Sequence, residues 1–167
     1  MASTSDLFGK ALASAGRSLT SLAKDAIGIK DLKPENVIAV LDEIVITNTD
    51  LSSEAKLEKR IYNVLHDTFQ NAETQYNIGG YLGLRVDIDL GDGKVGIELK
   101  LADELVGKAQ NIERLIGQTA YYTKRIYKKN NLIVLIAGES SISTKPMFKE
   151  LKEIVESYDA IYYYLKV

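Results

Sequence analysis

Asp87, Glu98 and Lys100 are the residues whose types and spacing best suit a chemical task. They lie on either side of Asp92-Gly93, a dipeptide favoured in two-residue type I′ turns, within a stretch from Arg85 to Lys100 that alternates apolar and polar residues. With those two residues as the turn, Asp87 faces Glu98, Asp89 faces Gly96 and Arg85 faces Lys100. Val86, Ile88 and Leu90 then oppose Leu99, Ile97 and Val95 on the other face. Carboxylates directly opposite, with Cβ atoms roughly 4.5–5.5 Å apart, repel unless a positive charge sits between them. A hard cation such as Mg²⁺ or Mn²⁺ is the natural candidate, since it takes oxygen ligands and needs only one or two protein carboxylates beside waters and a substrate phosphate. Lys100, on the same face two residues past Glu98, would stand beside the attacking water, where a cation orients the nucleophile or stabilises developing charge. The plainer alternative is a solvated strand face on which Arg85 and Lys100 neutralise both acids.

Composition narrows what else could act. The chain has 167 residues, 46% hydrophobic and 26% charged, no cysteine and a single histidine, His66. That excludes disulfide scaffolds, thiolate zinc sites, iron–sulfur clusters and thiol catalysis, rules out multi-histidine metal sites and disfavours a histidine-based triad. A formal charge of −2 argues against coating nucleic acid through net charge but leaves room for a local basic stripe. No apolar run reaches the roughly 18–20 residues of a membrane span. Met1–Ile29 is Ala/Ser-rich but interrupted by Asp6, Lys10, Arg17, Lys24 and Asp25, so no targeting segment and a cytoplasmic location are expected. The Asp87–Glu98 spacing also fits positions one and twelve of a calcium loop, but Gly91 and Asp92 are wrong for positions five and six.

The elements that must position the trio follow from periodicity. Leu12, Ala15, Leu19, Leu22 and Ala26 predict an amphipathic helix over 5–27, and Pro34 opens a second running to Val45. Ser52 or Ser53 can cap a third whose Leu57, Ile61, Leu65 and Phe69 share one face, with Glu54 and Glu58 on its first turns. The period then becomes two: strands are predicted at 73–78, 84–90 and 94–101, followed by a long helix over about 103–129. Leu132–Ala137 suits a buried strand, Lys145–Tyr158 a helix and Ala160–Val167 a last strand. From residue 53 the order is αβββαβαβ. Residues 1–50 read as an N-terminal helical extension and 51–167 as the main domain.

At these residues the sequence resembles the PD-(D/E)XK phosphodiesterases, the restriction-endonuclease-like nucleases. The family's Asp matches Asp87, its (D/E)XK matches Glu98-Leu99-Lys100, and its helical Glu matches Glu58 first and Glu54 second. A Gln-x-x-x-Tyr found on the following helix of many members matches Gln118 and Tyr122, while Val86 stands where the family name has Pro. The resemblance spans residues 53–137 and implies an α/β fold, a restriction-endonuclease-like αβββαβ core with a mixed central sheet, preceded by N-terminal helices.

It further implies a Mg²⁺- or Mn²⁺-dependent nuclease acting on DNA. Asp87 and Glu98 would bind the metal, Lys100 would position the water, Glu58 would assist through a water, and Gln118 would orient Lys100 or the phosphate. Gln118, Tyr122, Arg125 and Lys129 are spaced as one helical stripe, flanked by Lys124 and Lys128, that could follow a phosphate backbone. Helix-edge packing and helix-end charge complement are the plain readings of the same residues. One short domain offers little surface for a duplex, so a homodimer or larger assembly through the N-terminal helices is expected. A nuclease-like module kept only for DNA or protein contact, and an interbacterial toxin domain, are the alternatives.

Overall fold

The computed structural model describes residues 32–69, 71–79 and 83–167. The helix expected over 5–27 lies outside them. Helix α1 (Pro34–Asp42) is opened by its proline, and a 3₁₀ turn (Asp50–Ser52) leads into α2 (Glu54–Thr68). Strands β1 (Ala72–Asn77), β2 (Arg85–Leu90) and β3 (Val95–Leu101) follow. A short α3 (Ala102–Leu105) precedes α4 (Ala109–Arg125), then come β4 (Leu132–Gly138), a short α5 (Ser140–Ser143), α6 (Pro146–Ser157) and β5 (Ile161–Lys166). The single long helix expected over 103–129 is therefore two. The chain breaks at Gly107, whose φ of 71° is left-handed, and the second helix ends at Arg125, four residues early.

The five strands form one open mixed sheet in the order β1-β2-β3-β4-β5. β1, β2 and β3 pair antiparallel, and β4 and β5 add in parallel through the helical crossovers that parallel pairs require. All seven residues of β4 are buried, which a strand achieves only when helices cover both faces of its sheet. Val134 and Ile136 of β4 pack with Leu115 and Tyr122 of α4 and with Phe148, Leu151 and Val155 of α6. Helix α2 contacts β1, β2 and β3, burying the predicted stripe Leu57, Ile61 and Leu65. The main compact unit begins at Leu32, so α1 belongs with the sheet and not with an extension ending at residue 50. Val37 and Leu41 are buried, and the Tyr163 hydroxyl donates to Asp42 at 2.6 Å. Among the described residues no helix is long and apolar enough to cross a membrane.

The β2–β3 hairpin carries the trio, and its register matches the one read from Asp92-Gly93: Leu90 pairs with Val95, Asp89 with Gly96 and Ile88 with Ile97. Gly91, Asp92 and Gly93 all have positive φ, 72°, 57° and 82°, so the turn between Leu90 and Val95 carries a longer left-handed run than the two residues of a type I′ turn. A polar lock holds this register. Asp89, buried to 1% exposure, accepts from the Gly93 amide and from the Tyr127 hydroxyl at 2.5 Å. Tyr127 arrives from the loop after α4 and lies flat over Gly96, where an added Cβ would come within 2.5–2.8 Å of three ring carbons. Only glycine lets that ring reach Asp89. Gly96→Ala is therefore expected to destabilise the protein by roughly 2–3 kcal/mol, measured by urea denaturation, because the ring has to leave its place or the strand has to shift.

Candidate active site

Past the Ile88–Ile97 pair the two strands part, and the Leu99 amide donates to the side chain of Asp87 at 2.8 Å. Asp87 and Glu98 thus do not simply face each other across a ladder as expected. Both turn toward Lys100, whose ammonium lies 3.2 Å from Glu98 Oε1 and 3.9 Å from Asp87 Oδ2. A third carboxylate joins them: Glu54 Oε2 is 3.6 Å from the same nitrogen. Lys100 also donates to the Leu99 carbonyl at 2.6 Å. The face is not solvated, since the side chains of Glu98 and Lys100 are only 1% and 14% exposed. Among the described residues no three or more carboxylate or imidazole side chains are already gathered as a metal-ion cage. The positive charge between these acids is the lysine's.

Glu54 reaches the site because Ser53 caps α2, its hydroxyl accepting from the Lys56 amide, and the buried Leu57–Ile61–Leu65 stripe then sets the rotation of the helix. Glu58, one turn later, meets the site differently. It accepts from the Gln75 side-chain amide at 3.1 Å, and that amide also donates to Asp87 Oδ1 at 3.3 Å. Gln75 went unnoticed in the sequence because β1 carries no turn motif that fixes its register. Its backbone is exceptional: φ is 53°, left-handed, at a non-glycine residue inside a strand. Such a conformation persists only where the surroundings enforce it.

On α4, Gln118 donates through Nε2 to the Tyr122 hydroxyl at 3.0 Å, and that hydroxyl donates to the Arg85 carbonyl at 2.8 Å. A phenol has one proton, so spending it on Arg85 makes the oxygen an acceptor toward Gln118. The relay therefore fixes the amide's orientation and turns Gln118 Oε1 away from Tyr122. Tyr122 itself is fully buried. A ring without exposed surface has no face to offer a nucleic acid, so the expected contact there gives way to a positioning role. Lys124 and Arg125 are exposed near the end of α4, with Arg125 stacked on Tyr121 at 5.8 Å. Lys128 and Lys129 are exposed beyond the helix, so the expected helical stripe is interrupted both at Tyr122 and after Arg125.

These groups line a cleft of about 330 Å³ that includes Glu54, Asp87, Glu98, Lys100, Gln75 and Gln118. Among the described residues, three buried oxygens of this lining, Glu54 Oε1, Glu98 Oε2 and Gln118 Oε1, have no hydrogen-bond partner. Burial, reinforced by the charge of Asp87, pushes Glu98 up to about 8 despite the neighbouring ammonium. Burial also raises Glu54, against Lys100, and Glu58, with Asp87 adding to the shift. Burial alone would pull Lys100 down, but Glu98, Asp87 and Glu54 outweigh it and hold the ammonium above the ordinary lysine value. Lys100 is thereby kept as a donor and a positive charge, not a base. No protein-family model matches the sequence, and neither a curated protein nor a solved structure matches it.

Two outcomes follow from this geometry. Between the ordinary glutamate value of 4.5 and about 8, the unfolded chain has released the Glu98 proton while the folded one keeps it. Metal-free stability should therefore fall across that window and level off above it. Glu98→Gln removes this dependence, so its thermal stability in EDTA should pull ahead of wild type as pH rises, by roughly 3–5 kcal/mol in total. A difference that stays constant from pH 5 to 9 would mean that burial does not shift Glu98. At position 75, glycine should be more stable than alanine by about 1 kcal/mol in urea, the reverse of the usual order in a strand, because both lose the amide but only glycine relieves the left-handed φ.

Proposed function

We propose that the protein is a Mg²⁺- or Mn²⁺-dependent nuclease, acting on DNA, built on a restriction-endonuclease-like core. The observation that carries this reading is the pair of orphaned carboxylate oxygens, Glu54 Oε1 and Glu98 Oε2, in the cleft that also holds Asp87 and Lys100. A buried acceptor without a partner is costly, and two of them beside a third carboxylate suit a hard cation. Asp87, Glu98 and Glu54 would hold it, with Glu54 the nearer helical carboxylate and Glu58 acting on Asp87 through Gln75. When bound, the cation would activate a water molecule and draw charge from the phosphate.

The remaining tasks fall to the chain's own groups. Lys100 keeps its proton and can donate to the charge that develops on the phosphate oxygens. Gln118 Oε1, held in place by Tyr122, can accept a hydrogen bond from the attacking water and so orient it. The element order supports the proposed core as well: a helix, three strands, a crossover helix and a further strand in a mixed sheet are what the resemblance implies.

The test is incubation of supercoiled, linear and single-stranded DNA with Mg²⁺, Mn²⁺ or EDTA. Cleavage should require the metal and should fall at least about 100-fold in Lys100→Ala and in Glu98→Gln. The two variants should part in thermal scans. Lys100→Ala leaves three carboxylates without their counter-charge, so it should lose roughly 3 kcal/mol in EDTA and then gain more from millimolar Mn²⁺ than wild type does. Glu98→Gln should gain little from Mn²⁺. Full cleavage by Lys100→Ala would end the proposed mechanism.

A further inference from the structure

The wall that α4 presents to the cleft does not run toward Arg125 and Lys129. Its lining residues are Asn111, Arg114 and Gln118, spaced i, i+3 and i+7 along one face toward the N-terminal end of the helix. Arg85, at the start of β2, lines the same cleft. Both arginines are exposed, and among the described residues neither guanidinium has an ion pair or hydrogen bond. This is unusual in a cleft that also contains four carboxylates, Glu54, Asp87, Glu98 and Glu104. Three of those acids are committed to Lys100 instead. The charges are thus segregated: acids gathered around an internal ammonium, guanidiniums left unpaired beside them. Asn111 is tied to the helix entry, its amide donating to the Glu104 carbonyl at 2.7 Å, which leaves the two arginines as the free donors of this wall.

We propose that Arg85 and Arg114 bind the phosphates flanking the one that enters the acidic part of the cleft, so that a nucleic-acid strand crosses the N-terminal half of α4. The proposal rests on the nuclease reading. A polyanion approaching a group of carboxylates meets repulsion, and planar guanidiniums, which grip phosphate oxygens two at a time, offset it at that point. Arg125, already stacked on Tyr121, and Lys129, beyond the helix end, lie off this path.

Binding of a fluorescein-labelled single-stranded DNA oligonucleotide to the full chain in EDTA, from 50 to 300 mM salt, tests it. Each phosphate contact on a single strand contributes about 0.7 to the slope of log affinity against log salt. Arg85→Gln and Arg114→Gln should each reduce the slope by about that amount, and the double variant by about 1.4. Arg125→Gln with Lys129→Gln should leave it unchanged. The cleft variants should also cleave more weakly in Mn²⁺ while keeping the wild-type thermal shift with Mn²⁺, which a general loss of structure would not allow. Wild-type slopes in both cleft variants, alongside intact metal-dependent cleavage by wild type, would overturn this path and leave the nuclease reading standing. Absence of metal-dependent cleavage in wild type, with no oligonucleotide binding, would overturn both.

Discussion

The ammonium of Lys100 stands between Glu98, Asp87 and Glu54, at the point where β2 and β3 separate and α2 begins. The two strands of one hairpin and a helix about 30 residues before it in sequence deliver these charges. Glu98 is almost wholly buried, and an isolated carboxylate there would have to take up a proton or unfold its surroundings. The lysine in turn remains charged because the acids surround it. The start of α2, oriented by its apolar stripe, thus meets the hairpin at this ion group. The acids still outnumber the lysine. Burial, with the charge of Asp87 added to it, keeps Glu98 raised, and among the described residues two carboxylate oxygens have nothing to accept from.

The scaffold around this group is built to resist sliding. Asp89 anchors the hairpin through the Gly93 amide and the Tyr127 hydroxyl, and the ring of Tyr127 fills the space that Gly96 leaves open. A slip of one residue would send Glu98 and Lys100 to the opposite face and put Leu99 among the acids. Two smaller devices orient the cleft's polar groups. Tyr122 sets the Gln118 amide through a hydroxyl whose only proton is already used, and Gln75 holds Asp87 at the expense of a left-handed backbone. A left-handed residue, Gln75, and buried and partly buried charged groups, Glu98 and Lys100, thus meet in one cleft. Residues held at a local energetic disadvantage are a common mark of a site kept for chemistry.

The arrangement of charge also speaks to the kind of molecule the cleft would accept. An acidic interior beside guanidiniums at Arg85 and Arg114 that have no ion pair among the described residues is poorly suited to a simple anion or a simple cation. Under the proposed chemistry it would take a ligand that brings phosphate and divalent metal together.

Much of this was legible in the sequence, because the signals were local. Period-two alternation around Asp92-Gly93 determined the hairpin and its register, the uniform apolar run at 132–137 determined a buried strand, and the Ser52-Ser53 pair followed by the Leu57–Ile61–Leu65 stripe determined, to within a residue, the start and the inner face of α2. The tertiary structure decided what depends on elements meeting. Glu54, not Glu58, lies nearest Lys100, since the rotation of α2 is set by packing against the sheet and not by spacing along the helix. Gln75 entered the site through a pairing with β2 that no turn motif announces. Tyr122 went inside because α4 turns that edge toward β2, and the long helix broke at Gly107 and stopped at Arg125 so that Tyr127 could fold back over Gly96. Alternation and capping are properties of neighbouring residues and are written in the chain, whereas the partner of a buried charge is chosen only when distant segments exclude water from it together.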